Sequence, residues 1–69
     1  MREIYETKKD NETIRLIRTV YNYDGIIDEA WKIEHVYHFD YGRTHIVGSY
    51  TNRIGAYDLI ERYNLTPVK

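Results

Sequence analysis

His38 and His45 stand on either side of the short turn Asp40-Tyr41-Gly42-Arg43. If the flanking segments are antiparallel strands, the two imidazoles become cross-strand neighbours, with His35 nearby on the opposite face. Such a pair could hold a metal ion, but zinc sites use three or four ligands. No third ligand follows from the sequence, because Glu34 shares the face but lies further along. The ordinary reading is an exposed histidine pair with no metal, and a contact that responds to pH is the remaining option.

Other chemistry has less support. Ser49 is the only serine, and Gly48-Ser49-Tyr50-Thr51 lacks the G-x-S-x-G elbow that presents a nucleophile. Asp24, Asp28 and Glu29 cluster after a turn, but their spacing does not fit a calcium loop. Paired carboxylates working as acid and base need a cleft between them, and a chain of 69 residues has little room for one. No glycine-rich phosphate loop is present. The expectation is a protein that is not an enzyme, with no catalytic residues, no cofactor and no small-molecule substrate.

Composition narrows the partners. Lys and Arg total 10 against 11 Asp and Glu, for a net charge of −1. A general phosphate-backbone binder normally shows a clear basic excess. Arg15, Arg18, Lys32, Arg43 and Arg53 could still form a stripe interleaved with Tyr21, Tyr23 and Tyr41, and tyrosines on a sheet can stack single-stranded bases. Glu3, Glu6, Glu12, Glu29 and Glu34 dilute that stripe, and no RNP1 motif is present. Nucleic acid is therefore the alternative partner. No apolar run approaches the ~20 residues of a spanning helix, so no membrane role is expected. The absence of cysteine and of an apolar leader after Met1 fits a cytoplasmic protein.

Tyrosine is the unusual component, with eight against one Phe and one Trp. A buried phenol must find a hydrogen-bond partner, so some of these rings are expected at half-exposed, interface-like positions.

The elements that position these residues follow from periodicity. Residues 3–7 read as a strand, 8–11 as a polar turn, and 13–23 as a β-branched and aromatic strand. Asp24-Gly25 between apolar runs signals a hairpin. Residues 26–39 are ambiguous at their start, where Ile26, Ile27, Ala30 and Ile33 would also suit a helix. The alternation around Trp31, Ile33, Tyr37 and Phe39 favours a strand from about Glu29. A fourth strand covers 44–50. A final helix is capped by Thr51 or Asn52, with Ala56, Leu59, Ile60 and Tyr63 on one stripe. Asn64 suits its left-handed exit, and Pro67 prevents it from resuming.

The expected fold is α+β: a single domain, residues 1–69, with a four-stranded antiparallel meander and one C-terminal helix on one face. Pairing Phe39 with Thr44 separates the faces best. It sets His38 opposite His45, Tyr37 opposite Ile46, and Val36 opposite Val47. A slip by one residue would undo that separation, although the three-residue loop with Gly42 prefers the slipped register. In the chosen register the uncovered face carries Arg15, Ile17, Tyr21, Tyr23, Val36 and Val47, an apolar centre rimmed by Arg15, Lys32, Glu34 and His38. Tyr41 and Arg43 in the loop complete the expected contact set. An apolar centre with a charged rim describes a protein interface, whereas isolated exposed apolar residues are common on any small protein. The leading expectation is a protein-binding module whose partner is another protein or a second copy of the chain. Its size and architecture, with no motif behind them, would suit a small phage or mobile-element inhibitor of a host enzyme, of the anti-CRISPR kind.

Overall fold

Asp24 and Gly25 both take positive φ, 50° and 83°. That pair of left-handed residues makes a two-residue hairpin turn whose twist matches its flanking strands. The turn places Tyr23 directly opposite Ile26, so strand pairing starts at once. The segment from Ile26 is therefore strand throughout. It neither begins near Glu29 nor forms a helix, because residues adjoining so tight a turn must pair or leave their backbone groups without partners.

The computed structural model describes residues 1–68. The elements are β1 (Arg2–Lys9), β2 (Glu12–Tyr23), β3 (Ile26–His38), a 3₁₀ turn (Asp40–Gly42), β4 (Thr44–Thr51), α1 (Arg53–Tyr63) and β5 (Thr66–Val68). The five strands form one antiparallel sheet in the order β4-β3-β2-β1-β5. The α+β class stands, but with five strands rather than the four expected. The extra strand follows the helix. Asn64 closes α1 in the left-handed conformation, and the chain then lays Thr66, Pro67 and Val68 against Glu6, Tyr5 and Ile4. Pro67 has no N–H to donate, which an edge strand tolerates. It lies in the strand that ends the sheet, three residues past the cap that ends the helix.

The helix starts where the Asn52 side-chain oxygen accepts a hydrogen bond from the Gly55 N–H at 2.8 Å. Its inner stripe packs Ala56, Leu59 and Ile60 against Leu16, Trp31, Ile14, Ile33 and Tyr5, with Leu65 completing the core. Tyr63, expected on that stripe, stays exposed. Trp31 is held on two sides: the Tyr57 ring meets it edge-on at 6.0 Å, and the Arg18 guanidinium lies 5.7 Å from its ring centre.

The β3–β4 register differs by one residue from the expectation. His38 pairs with Thr44, Tyr37 with His45, and Val36 with Ile46. Tyr41 and Gly42 both turn left-handed, at φ 66° and 72°, and the Phe39 N–H closes the loop on the Arg43 carbonyl at 2.7 Å. The turn decided the register because nothing opposed it. β4 is an edge strand with every residue but Thr51 exposed, so moving its apolar side chains between faces costs little burial. The slip puts Ile46 and Tyr50 on the uncovered face and Val47 and His45 on the helix face.

Candidate protein-binding surface

The uncovered face begins with Arg15 and Ile17 on β2. Arg15 pairs across the sheet with Glu6 on β1 and Glu34 on β3, at 3.2 and 3.4 Å. Lys32 reaches Glu34 at 3.7 Å, and Lys8 reaches Glu6 at 3.8 Å. These residues alternate with Ile17 and Val36, which are only 5% and 6% exposed although no helix covers them. The charged ends of Arg15 and Lys32 meet carboxylates across this face. Thr13, also buried, shares a hydrogen bond of 3.2 Å with His38. The arrangement inverts the expected one: the centre is a lattice of ion pairs, and the apolar residues lie beneath it.

The one-residue slip changes the rest of that set. Val36 now faces Ile46, while Val47 faces His35 on the helix side, so the Val36–Val47 pair does not form. His38 and His45 fall on opposite faces, and the paired imidazoles that could have shared a metal are not assembled. His35 instead meets Glu12 and stacks on Tyr37 at 4.5 Å between ring centres. Among the described residues, no group of three His, Cys, Asp or Glu side chains is placed to hold a metal ion.

A second network ties the helix to the sheet. Glu29 accepts from Arg18 at 2.7 Å and from Arg53 at 2.8 Å, and Arg18 also reaches Glu3 at 3.4 Å. Hydrogen bonds from Arg53 and then Arg18 pull the Glu29 carboxyl down to about 2. The same bonds push both guanidinium pKa values up. Burial, followed by the charge of Glu3, raises the Tyr5 phenol, whose hydroxyl donates to Glu3 at 3.2 Å. The Trp31 indole N–H also favours the Glu29 anion. It stops short of hydrogen-bond geometry, which leaves it a buried donor with no acceptor among the described residues.

These pairs bear on the cation stripe. Of Arg15, Arg18, Lys32, Arg43 and Arg53, only Arg43 lacks a carboxylate partner among the described residues. The other four lie on two faces and are neutralised in place.

A contiguous run of exposed apolar side chains lies elsewhere. β1 flanks β2 only as far as Thr19, and β4 flanks β3 only from Trp31 onward. Beyond those points β2 and β3 continue alone as a two-stranded arm, and every residue from Tyr21 to Asp28 is exposed. Tyr21 and Tyr23 stack on each other, with ring centres 6.0 Å apart and planes 12° from parallel. Tyr23 is 65% exposed and its cross-strand partner Ile26 is 70% exposed. Ile27 is equally open on the reverse side. The arm accounts for the elongated shape, 46 × 23 × 22 Å.

Tyr41, 99% exposed, occupies the loop at the opposite end of β3. The 13 residues of β3 separate the two ends by about 40 Å at ~3.3 Å per residue. The expected contact set thus divides into three groups: Tyr21 and Tyr23 on the arm, Arg15, Ile17 and Val36 at the charged centre, and Tyr41 and Arg43 at the far end. Val47 belongs to none of them. Ile26 and Ile27 join the first group, and sequence reasoning missed them. Their one signal was adjacency to the Asp-Gly turn, which cannot show that neither flanking strand reaches that far.

Compared with known protein families, curated proteins and solved structures, the chain matches none.

Proposed function

We propose that this chain is a non-enzymatic protein-binding module that meets its partner with the β2–β3 arm. One observation carries the reading. The arm leaves the body of the sheet with all of Tyr21–Asp28 exposed, yet its side chains include Tyr21, Tyr23, Ile26 and Ile27. A bare two-stranded ribbon is marginal in water, and these residues add nothing to the core. Tyrosine gives a large contact area at low cost in side-chain freedom, and rigid aromatic anchors dominate binding energy at protein interfaces. A projecting ribbon suits a concave site on a larger protein, which is the geometry an inhibitor of a host enzyme would use.

The neutralised arginines give the nucleic-acid alternative no comparable support. The test compares wild-type protein with a Tyr21→Ala, Tyr23→Ala, Ile26→Ser variant in capture from source cells. Circular dichroism and urea unfolding should show an unchanged fold, with stability altered by no more than about 0.5 kcal/mol, as for surface residues generally. Loss of a stoichiometric protein partner from the variant supports the reading. Capture that survives the triple change overturns it. Saturable binding to labelled DNA or RNA that weakens steeply with salt would replace it with nucleic-acid recognition.

A further inference from the structure

The two edges of the sheet are built differently. On one side β5 offers three residues with Pro67 among them. The part of β1 beyond β5 carries Lys8 and Lys9. Short strands, proline and lysine are the usual means of preventing a sheet edge from pairing further. On the other side β4 presents eight residues, Thr-His-Ile-Val-Gly-Ser-Tyr-Thr, with no proline, no lysine and no carboxylate. Among the described residues no strand lies beside its outer N–H and C=O groups, since β4 is last in the sheet order.

We infer that β4 joins a second copy of this chain, antiparallel and centred on Gly48, to make one continuous sheet across a two-fold axis. The inference is independent of the arm's role.

Three features select a second copy as the occupant. The first is self-complementarity. With Gly48 opposite Gly48 of the other copy, Ile46 of each chain faces Tyr50 of the other, twice over, on the uncovered face. Aromatic and β-branched residues are favoured cross-strand partners. Ile46 and Tyr50 are 54% and 74% exposed in the single chain. Gly48 leaves room at the axis for the two tyrosines to lie over the bare backbone, a recognised way of compensating glycine in a sheet.

The second feature is charge. β4 has no Lys, Arg, Asp or Glu, so a two-fold pairing brings no such charges directly opposite one another. The third is closure. Within the body of the sheet one edge is open and the other blunted, so pairing through β4 stops at two copies, whereas two open body edges would propagate into a fibre. The same pairing brings Tyr41 of each copy, at the start of its β4, level with the base of the other copy's arm. Two exposed features that lie at opposite ends of one chain then become neighbours.

The chain contains no cysteine, which makes single-cysteine variants clean probes. Sedimentation of the wild-type chain should give the mass of a dimer. Gly48→Cys should cross-link to itself under mild oxidation, because residues opposite each other on the axis bring their Cβ atoms within disulfide reach. The site has space, since a Cβ there would meet only the end of Lys32 at 3.4 Å and the Ile33 carbonyl at 3.9 Å. Asp58→Cys on α1 should not cross-link. Ile46→Lys with Tyr50→Lys alters exposed side chains only and should weaken self-association by about tenfold or more, since like charges opposed across strands are unfavourable and each change acts twice. A wild-type chain that stays monomeric at millimolar concentration overturns the inference. So does a dimer indifferent to the two lysines, one abolished instead by the arm variant, or growth into larger assemblies.

Discussion

Glu29 shows how one carboxylate can link distant parts of a small chain. It lies on β3, but its two arginines come from β2 and from the first residue of α1. Folding lowers its pKa from 4.5 to about 2. A depressed carboxylate adds stability that is complete above its unfolded pKa and is lost as pH falls toward the folded one. The contribution should therefore fade between pH 4.5 and about 2. Glu29→Gln is expected to be less stable than wild type at neutral pH, with the difference shrinking across that window. Urea midpoints measured from pH 7 to pH 2 check this, and a constant difference would refute it. Tyr41 makes the opposite point. Its φ of 66° costs a non-glycine residue roughly 1–2 kcal/mol, of which glycine's greater unfolded-state freedom returns about half. Tyr41→Gly should stabilise the fold by about 0.5–1 kcal/mol in urea denaturation. A ring kept fully exposed at that cost is a reason to look for a contact there.

Among the elements, α1 depends on a close approach at its first turn. A Cβ on Gly55 would sit 2.2 Å from the Thr51 hydroxyl oxygen and 3.5 Å from the Thr51 Cβ. Helix propensity alone would make Gly55→Ala stabilising by about 1 kcal/mol. In the wild-type background that gain should be lost or reversed, because the β-branched Thr51 must shift its side chain where the strand ends. In a Thr51→Ala background the gain should return. Thermal unfolding of both pairs separates the two effects, and equal gains in both backgrounds would show that the contact does not matter. β2 and β3 are informative through their length. They run together from the body of the sheet to the arm tip, and the apolar alternation that builds the core continues past the point where any core exists. Periodicity identified β2, and β3 only from about Glu29 onward. It could not show that β1 and β4 end earlier, because strand partners are a long-range property.

At the scale of the whole molecule, two networks gather most of the paired charge among the described residues: a lattice across the uncovered face and a bridge between helix and sheet. These pairs are partly buried rather than fully exposed, and each contributes modestly to stability. Arg15, Arg18, Lys32 and Arg53 already have carboxylate partners. The sequence showed that acidic residues were interspersed with these cations. Only the register showed that they sit directly beside them.

The sequence by itself determined the elements whose causes are local. The Asp24-Gly25 turn, the Asn52 cap, the Asn64 exit and the stripe through Ala56, Leu59 and Ile60 depend on residues within a turn or two of each other, so their chemistry is written in short spacings. The antiparallel α+β class followed from these pieces. Three things were decided only by tertiary structure. β5 exists because β1 offered a free edge, and three residues containing a proline carry no strand signal alone. The β3–β4 register followed the loop around Tyr41 because an uncovered edge strand exerts no burial force to hold its pattern. That slip separated His38 from His45 and Val36 from Val47, dissolving both constellations with which the sequence reading began. The exposed arm arose because neither neighbouring strand extends beside Tyr21–Asp28. A sequence marks its apolar residues, but only packing determines which of them remain uncovered.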